Sequence, residues 1–519
     1  MQRLVVALTA LLVMAGAVVV AGYLFVFAGA TDRAARAVPA DASVYATVYL
    51  EPSAGQKMNL AALLGHVPGF ADASSLDTKI HEIAARFLGE ANIDYEGDVR
   101  PWLGDQLSMA VSIDVADPDG GNVLLVVAVS DPDAAAASVP DVVGDPAVAP
   151  DLEQHDGVDM HVAAGASWAL LGDLLLVASN RDTLAEALDA DAGRAPSLAD
   201  DSGFAAAMRR VPADHLAAFY VDLESIAASA EMDEQLDGYS TLSLALVAEQ
   251  DGLHLAGIAP FDAEAAPSAG RAAFALASEP SSLTAWMPAE TQAEAVVFGL
   301  SQMLRSAEQQ LGAVPGSDQV TDALAQLRAI AALGLGISID DDVLPLFDRE
   351  VALAVSGVDD ETPSLQVLLR PSVPDEAAAA LERITAALED RGATVEESPV
   401  DGATIITVSV PDLGELSYAV REGVIIAGLE VADVAAALAA HDAGTTLADS
   451  PSYVGAWELA GDRAGNELYV DVASLADLAG DQLNLDDDAR DILSAMGALA
   501  LTAPAREDQS EFHAVLTVR

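Results

Sequence analysis

Apolar and polar residues alternate along several short stretches of this chain, and this alternation is typical of a half-buried β-strand. In residues 43–50, for example, Val44, Ala46 and Val48 alternate with more polar neighbours. Between residues 76 and 88 the apolar positions recur instead at helical spacing and predict an amphipathic helix. Strands outnumber helices, and consecutive strands are too close in sequence for crossover helices. The pattern therefore predicts mainly antiparallel sheet.

The order of these elements occurs twice. Residues 220–223 read Tyr-Val-Asp-Leu and residues 469–472 read Tyr-Val-Asp-Val, while Pro-Ala-Asp at 39–41 returns as Pro-Ala-Glu at 288–290. Both steps are 249 residues (469 minus 220, and 288 minus 39). A constant step between distant landmarks indicates a duplicated structural unit.

We therefore predict an α+β protein in which an N-terminal transmembrane helix precedes two tandem, duplicated domains of mainly antiparallel sheet with packed helices. The predicted bounds are residues 1–37 for the anchor and a short linker, 38–262 for the first domain, 263–286 for a second linker and 287–519 for the second domain. The second linker is rich in Ala, Glu, Pro and Ser, which is typical of a domain boundary.

The stretch from residue 4 to residue 30 contains no charged residue. A helix rises about 1.5 Å per residue, so this stretch can cross a hydrocarbon core of about 30 Å. The alternative is a signal peptide cut after Ala30, because residues 28–30 form an A-x-A pattern. Signal peptides have apolar regions of only about 7–15 residues, so length favours a retained single-pass anchor. Arg3 favours a cytoplasmic N-terminus with the C-terminal bulk outside the cytoplasm.

The chain is hydrophobic enough, at 52%, to fill large cores, yet its formal net charge is −59. Such an excess of carboxylates argues against nucleic acid as a partner, because few cations are available to contact phosphates. The acidity fits either an ordinary solvated surface or adaptation to high salt. Cysteine is absent, which excludes disulfides and thiolate chemistry.

Residues 38–45 (Val-Pro-Ala-Asp-Ala-Ser-Val-Tyr), their continuation to residue 57 and the Trp-Leu-Gly-Asp motif at 102–105 resemble DUF3352, a bacterial family of unknown function. The resemblance extends over most of the chain that follows the apolar stretch. It implies an exported, membrane-anchored and duplicated protein, and it brings no known catalytic or binding residues.

Candidate metal chemistry is concentrated in one segment that contains Glu153, His155, Asp159 and His161. On a strand Asp159 and His161 would share a face, and imidazole with carboxylate suits zinc or a related ion. The second copy carries apolar residues in place of both histidines. The alternative is a polar hairpin whose histidines are incidental.

Motifs for catalysis are missing: the sequence has no nucleophile elbow, no phosphate-cradling glycine loop and no H-E-x-x-H. This predicts a protein that is not an enzyme and holds no cofactor. The leading hypothesis is a binding or scaffold protein that takes an envelope protein, a peptide or an apolar ligand in a groove between its repeats. The alternatives are an envelope metal-dependent enzyme or hydrolase centred on His155 and His161, and an acidic scaffold that binds divalent cations or basic partners.

Overall fold

The computed structural model describes residues 27–28, 32–68, 94–114, 117–143, 149–230, 238–266, 268–313, 318–357, 363–400, 402–411, 414–461, 463–475 and 487–519. The chain divides into two compact units. The first comprises Met1–Pro267, Asp508–Phe512 and Val518, and the second comprises Ser268–Glu507, His513–Thr517 and Arg519. The helix predicted between residues 76 and 88 lies outside the described residues.

The first unit contains helices and an extended antiparallel sheet. Its strands are β1 (Phe27–Ala28), β2 (Val44–Glu51), β3 (Leu103–Asp114), β4 (Asp117–Val129), β5 (Asp151–His155), β6 (Val158–Ala163), β7 (Ala166–Leu171), β8 (Leu174–Ala178), β9 (Ala217–Asp222), β10 (Thr241–Ala248) and β11 (Gly252–Pro260). Its α-helices are α1 (Ala54–His66), α2 (Pro132–Val143), α3 (Arg181–Asp191), α4 (Ser202–Met208) and α5 (Leu223–Ala230). Shorter helical turns span Ala34–Arg36, Tyr95–Val99 and Leu198–Asp200.

The second unit has the same kinds of element. Its strands are β12 (Thr291–Phe298), β13 (Glu350–Ser356), β14 (Ser364–Arg370), β15 (Thr394–Val400), β16 (Ala403–Val410), β17 (Gly414–Arg421), β18 (Val424–Gly428), β19 (Glu467–Asp471), β20 (Met496–Thr502), β21 (Ala505–Arg506) and β22 (Gln509–Val518), the last through residues 513–517. Its α-helices are α6 (Ser268–Leu276), α7 (Leu300–Ala313), α8 (Asp318–Ile330), α9 (Pro374–Glu389), α10 (Val431–Ala443), α11 (Pro451–Ala460) and α12 (Asp487–Ala495). Shorter helical turns span Leu283–Trp286, Ala331–Leu335, Ile339–Val343, Leu344–Phe347 and Leu447–Asp449.

Strand order is the same in the two units. In the first it is β11-β10-β9-β2-β3-β4-β8-β7-β6-β5, with antiparallel neighbours throughout. In the second it is β22-β20-β19-β12-β13-β14-β18-β17-β16-β15, antiparallel from β20 onward. Tyr45 pairs with Tyr220 in the first unit, and Glu294 pairs with Tyr469 in the second. Each residue of the second pair lies 249 positions after its counterpart (294 minus 45, and 469 minus 220), so the two units share the same strand register at this point. Mixed helix and antiparallel sheet confirm the predicted α+β class.

Each sheet carries helices on both faces. Successive side chains of a strand point to opposite sides, so the helices bury both sets of side chains. On β4, Leu124 and Val126 pack into one core with Leu184 of α3, whereas Val127 packs into another with Val139 of α2. This double burial explains why β4 contains a continuous apolar run rather than a strict alternation.

The stretch predicted as a linker, residues 263–286, contains helices. It contains α6 and the short helix Leu283–Trp286, both in the second unit. Glu350 on β13 fixes the start of this short helix by accepting a hydrogen bond from the backbone N–H of Ser282 (2.8 Å). In the first unit Gln106 on β3 accepts the equivalent hydrogen bond from the N–H of Arg33 (3.1 Å). Composition predicted a linker here, and the hydrogen bond to a side chain on a distant strand could not be inferred from it.

Almost all of the predicted membrane segment, residues 4–30, lies outside the described residues. Of that stretch Phe27–Ala28 is described, and it forms β1, which pairs in parallel with β2. Beyond it the Arg33 guanidinium forms ion pairs with Asp105 and Asp173. Among the helices that the structure describes, none combines the length and apolarity needed to cross a membrane.

Candidate functional site

The predicted metal ligands lie on a hairpin formed by β5 and β6. Asp156 and Gly157 make the turn, and both have positive φ angles (50° and 90°). Glu153 pairs with Met160 and His155 pairs with Val158. Residues directly opposite each other in an antiparallel pair share a face, and neighbours along a strand do not. Glu153 and His155 therefore lie on one face of the hairpin.

Asp159 and His161 share the other face, as the sequence predicted, but they have different surroundings from the first pair. Asp159 accepts a hydrogen bond from Gln154 Nε2 (2.8 Å). The His161 ring stacks on buried Trp168, with ring centroids 5.3 Å apart and an interplanar angle of 5°. The four predicted ligands consequently do not converge on a single point.

His155 instead contacts Asp189, which the sequence did not single out. Its Nε2 lies 2.8 Å from Asp189 Oδ1, and the possible ligand atoms of His155, Asp156 and Asp189 all lie within 4.8 Å of one another. Arg194 forms ion pairs with Asp189 (2.6 Å) and Asp156 (3.0 Å), so a guanidinium already contacts both carboxylates. The hydrogen bonds from His155 and Arg194 lower the pKa of the Asp189 carboxyl. The arrangement is that of an ion-pair network at the hairpin turn.

A cavity of about 530 Å³ lies elsewhere in the first unit. Its wall comes from the start of α5, the turn before β10, the end of β11 and the residues that follow it. The lining residues are Glu224, Ala227, Gly238, Tyr239, Ser240, Pro260, Phe261, Asp262, Ala265 and Asp508. Asp508 belongs to this unit together with residues 509–512.

Backbone contacts hold the cavity wall together. Tyr239 forms an isolated antiparallel bridge with Phe261, and the N–H of Asp262 donates to the carbonyl of Gly238 (2.7 Å). Gly238 has φ +96°, and a Cβ there would lie 2.8 Å from the Cβ of Ala266 and 2.9 Å from the Asp262 carbonyl. Glycine is therefore required at position 238 for both conformation and space.

The chemical character of the wall is acidic and aromatic. Glu224, Asp262 and Asp508 present three exposed carboxylates. The ring of Tyr239 packs against that of buried Phe261, with the centroids 4.9 Å apart and the planes at 49°. None of the described lining residues is basic. Carboxylates attract a cation by charge, and aromatic faces add a cation–π attraction.

Sequence reasoning did not find this cavity, because its residues are spread from position 224 to position 508 and belong to no motif. Pro260 and Asp262 were the one local signal, since both residue types are typical of a chain that leaves a strand. That signal predicts a turn but not which distant residues meet there.

Comparison with curated proteins finds no match. Among solved structures, crystal form III of TP0453 matches at 11% sequence identity with a TM-score of 0.25. The matched region covers 45% of this chain and 82% of that chain. Crystal form I matches at 9% identity, covers 45% of this chain and 81% of that chain, and has a TM-score of 0.24. Crystal form IV matches at 10% identity, covers 44% of this chain and 81% of that chain, and has a TM-score of 0.25. The fold assignment rests on the strand order described above, not on these structures.

A protein family matches far more of the chain. The family described as "Protein of unknown function (DUF3352)" matches residues 4–517, which include the motifs at residues 38–57 and 102–105. The match therefore covers both structural units and the apolar N-terminal stretch. The chain belongs to the DUF3352 family.

Proposed function

We propose that this protein is a non-catalytic binding protein, anchored in the cell membrane and exposed outside the cytoplasm, whose first unit takes a small organic cation. The supporting observation is the cavity of about 530 Å³ with three carboxylates and no basic residue in its described lining. The ligand class that fits best is the amine or guanidinium of a basic peptide side chain.

The geometry favours a basic ligand over an apolar one, both of which the sequence left open. Inserting an apolar group would remove water from Glu224, Asp262 or Asp508 without giving these carboxylates a partner, which is unfavourable. A guanidinium can instead donate hydrogen bonds to carboxylates and stack on the half-buried Tyr239 ring. The net charge of −59 also attracts cations toward the molecule.

Calorimetric titration with a blocked tripeptide tests this binding. The central residue is arginine in one peptide and citrulline, which has nearly the same shape without the charge, in the other. The arginine peptide should bind more tightly. Glu224→Gln and Asp508→Asn should each weaken its binding about two- to fivefold, the effect of losing one exposed charge pair.

Asp141→Asn is the matched control, because Asp141 is an exposed carboxylate on α2 outside the cavity wall. It should leave the affinity unchanged. Equal affinity for the two peptides, or equal effects of all three substitutions, would contradict a cation site in this cavity.

The location of the protein is a separate part of the proposal. The uncharged stretch at residues 4–30 and the preceding Arg3 support a single-pass anchor with a cytoplasmic N-terminus. Because the chain has no cysteine, a single introduced one can be labelled selectively. Asp141→Cys should react with a membrane-impermeant maleimide on intact cells, whereas Gln2→Cys should react only after permeabilisation. The reverse result would contradict this orientation, and a mature chain that begins at Thr31 would contradict the anchor.

A further inference from the structure

Three glutamates lie beneath the surface of the second unit. Glu294 on β12, Glu350 on β13 and Glu467 on β19 are only 1%, 2% and 4% exposed. A buried carboxylate is unfavourable unless hydrogen bonds or cations compensate for its lost hydration. The compensation is uneven among these three residues.

Glu350 is well compensated. It accepts hydrogen bonds from the hydroxyls of Ser281 (2.8 Å) and Ser282 (2.5 Å). It also accepts from the backbone N–H groups of Ser282 (2.8 Å) and Leu283 (3.1 Å). This glutamate has a clear structural role, because it fixes the start of the short helix Leu283–Trp286.

Glu294 and Glu467 depend on a single cation. Arg463 Nε donates to Glu467 Oε2 (2.6 Å), and its terminal nitrogen lies 4.0 Å from Glu294 Oε1, which also accepts from the Thr284 hydroxyl (3.0 Å). Within the described part of the chain, Glu294 Oε2 and Glu467 Oε1 have no hydrogen-bond partner. One guanidinium therefore faces two buried carboxylates, each with an unpartnered oxygen.

The strand register explains why the two carboxylates are neighbours. Glu294 pairs with Tyr469, and Val296 pairs with Glu467. The four side chains share one face of the sheet, and Glu294 and Glu467 occupy a diagonal of this arrangement. The titratable and charged groups that face the pair are Arg463 before β19, Tyr453 on α11, Tyr469 on β19 and Glu350 on β13.

The first unit shows that this charge is not needed to build the fold. The positions equivalent to Glu294 and Glu467, at the step of 249 residues, are Tyr45 and Ala218 (294 minus 45, and 467 minus 218). Tyr45 pairs with Tyr220 in the same register. The same sheet therefore forms with neutral residues at both positions, and the charged pair is a property of the second unit alone.

We propose that Glu294 and Glu467 form a binding site for one proton, shared across Arg463, that links the state of the second unit to the pH of its surroundings. The proton binds to one of the two unpartnered carboxylate oxygens and leaves a neutral carboxyl beside a single carboxylate–guanidinium pair. The buried charges then balance, one positive and one negative. Release of the proton leaves two negative charges against one positive charge.

The expected direction of the titration agrees with this geometry. Burial raises the pKa of Glu467 to about 7, Arg463 acts in the opposite direction, and the charge of Glu294 adds to the rise. Burial also raises the pKa of Glu294. Two carboxyls that interact in this way titrate as a pair, so the proton belongs to the pair and not to one residue.

Infrared difference spectroscopy of the full-length protein between about pH 5 and about pH 9 tests the site directly. The wild type should show the carbonyl band of a buried protonated carboxyl, lost with a midpoint near pH 7. This measurement requires no substitution, so it does not depend on whether a variant folds. Absence of such a titrating band in the wild type would overturn the proposal.

Substitutions then assign the band. Glu467→Gln and Glu294→Gln should each remove the transition near neutral pH. In either variant one carboxylate remains opposite the Arg463 guanidinium, and no second buried negative charge favours its protonation. Glu389→Gln, at an exposed position of α9, is the matched control and should keep it. If the transition survives in both Glu467→Gln and Glu294→Gln, the proton site lies elsewhere and the assignment is wrong.

Discussion

Replacing Glu467 by glutamine removes one titrating group from the buried pair and keeps its shape. In the wild type, burial raises the pKa of this carboxyl from an ordinary value of 4.5 to about 7. The folded state then binds the proton more tightly than the unfolded state. Stability is therefore greatest below pH 4.5 and falls as the pH rises to about 7, the interval between the unfolded and folded pKa values.

The size of the effect follows from the shift. One pKa unit corresponds to about 1.4 kcal/mol, so the raised pKa lowers the free energy of unfolding by about 3 kcal/mol above neutral pH. Part of this loss has already occurred at about pH 5, which leaves about 2.5 kcal/mol between about pH 5 and about pH 8. The wild type should lose about 2.5 kcal/mol more than Glu467→Gln over this interval.

Urea unfolding of the second unit measures this difference. Of the four tryptophans, Trp286 and Trp457 belong to the second unit, so a Trp102→Phe, Trp168→Phe background reports that unit alone. The quantity compared is the change in the free energy of unfolding between the two pH values, in wild type and in Glu467→Gln. Loss of the Arg463 hydrogen bond is independent of pH, and the other carboxylates titrate in both proteins, so neither contributes to the difference. Parallel pH dependences in the two proteins would refute the assigned proton linkage.

Other substitutions give equally direct expectations. Arg463→Met leaves two buried carboxylates without their cation and should destabilise the second unit by about 3–5 kcal/mol at about pH 8, but by less at about pH 5. Urea unfolding measures both losses of stability, and equal losses at the two pH values would contradict the charge balance. Gly238→Ala should destabilise the first unit by about 1–3 kcal/mol more than Gly157→Ala, because both glycines have positive φ but a Cβ at Gly157 meets nothing within 4 Å. Thermal unfolding measures this difference, and equal losses would show that the overlap at Gly238 relaxes freely. Raising the salt from about 0.05 M to about 0.5 M should weaken binding of the arginine peptide to the cavity, whereas a salt-independent affinity would mean that its carboxylates take no part.

Alternation in the sequence predicted where β2 lies but not how it is buried. The alternating stretch, residues 43–50, corresponds to β2 (Val44–Glu51), yet Tyr45 and Thr47 are buried while Ala46 and Val48 are half-buried. Buried residues occur on both faces of this strand, so polarity alone does not identify an inner face. The spatial grouping of the candidate metal ligands could also not be predicted from local pattern alone. Periodicity correctly placed Asp159 and His161 on one face, but the position of Glu153 and His155 depends on the register across the turn. A shift of one residue would have exchanged the faces.

The buried pair could not be identified from local pattern. Glu294 occurs between alanines in a strand, and an acidic residue at such a position usually indicates the solvent face. It is buried because α11 and Arg463, encoded more than a hundred residues later, lie near it. The internal repeat did contain a signal: the step that aligns the copies places Glu294 on Tyr45 and Glu467 on Ala218. When equivalent strands of the two copies carry an acidic residue in one and tyrosine or alanine in the other, the acidic residue indicates a core position whose chemistry differs between the copies.

The attachment of Arg33 has a mechanical consequence. Its N–H is bound to Gln106 on β3, and its guanidinium pairs with Asp105 on β3 and with Asp173. A force applied through the N-terminal segment would therefore be delivered to a central strand of the first unit rather than to β5 at the sheet edge. Separating a central strand breaks two hydrogen-bond ladders, whereas peeling an edge strand breaks one ladder at a time. A chain pulled through this attachment point should resist tension better than one pulled through an edge strand.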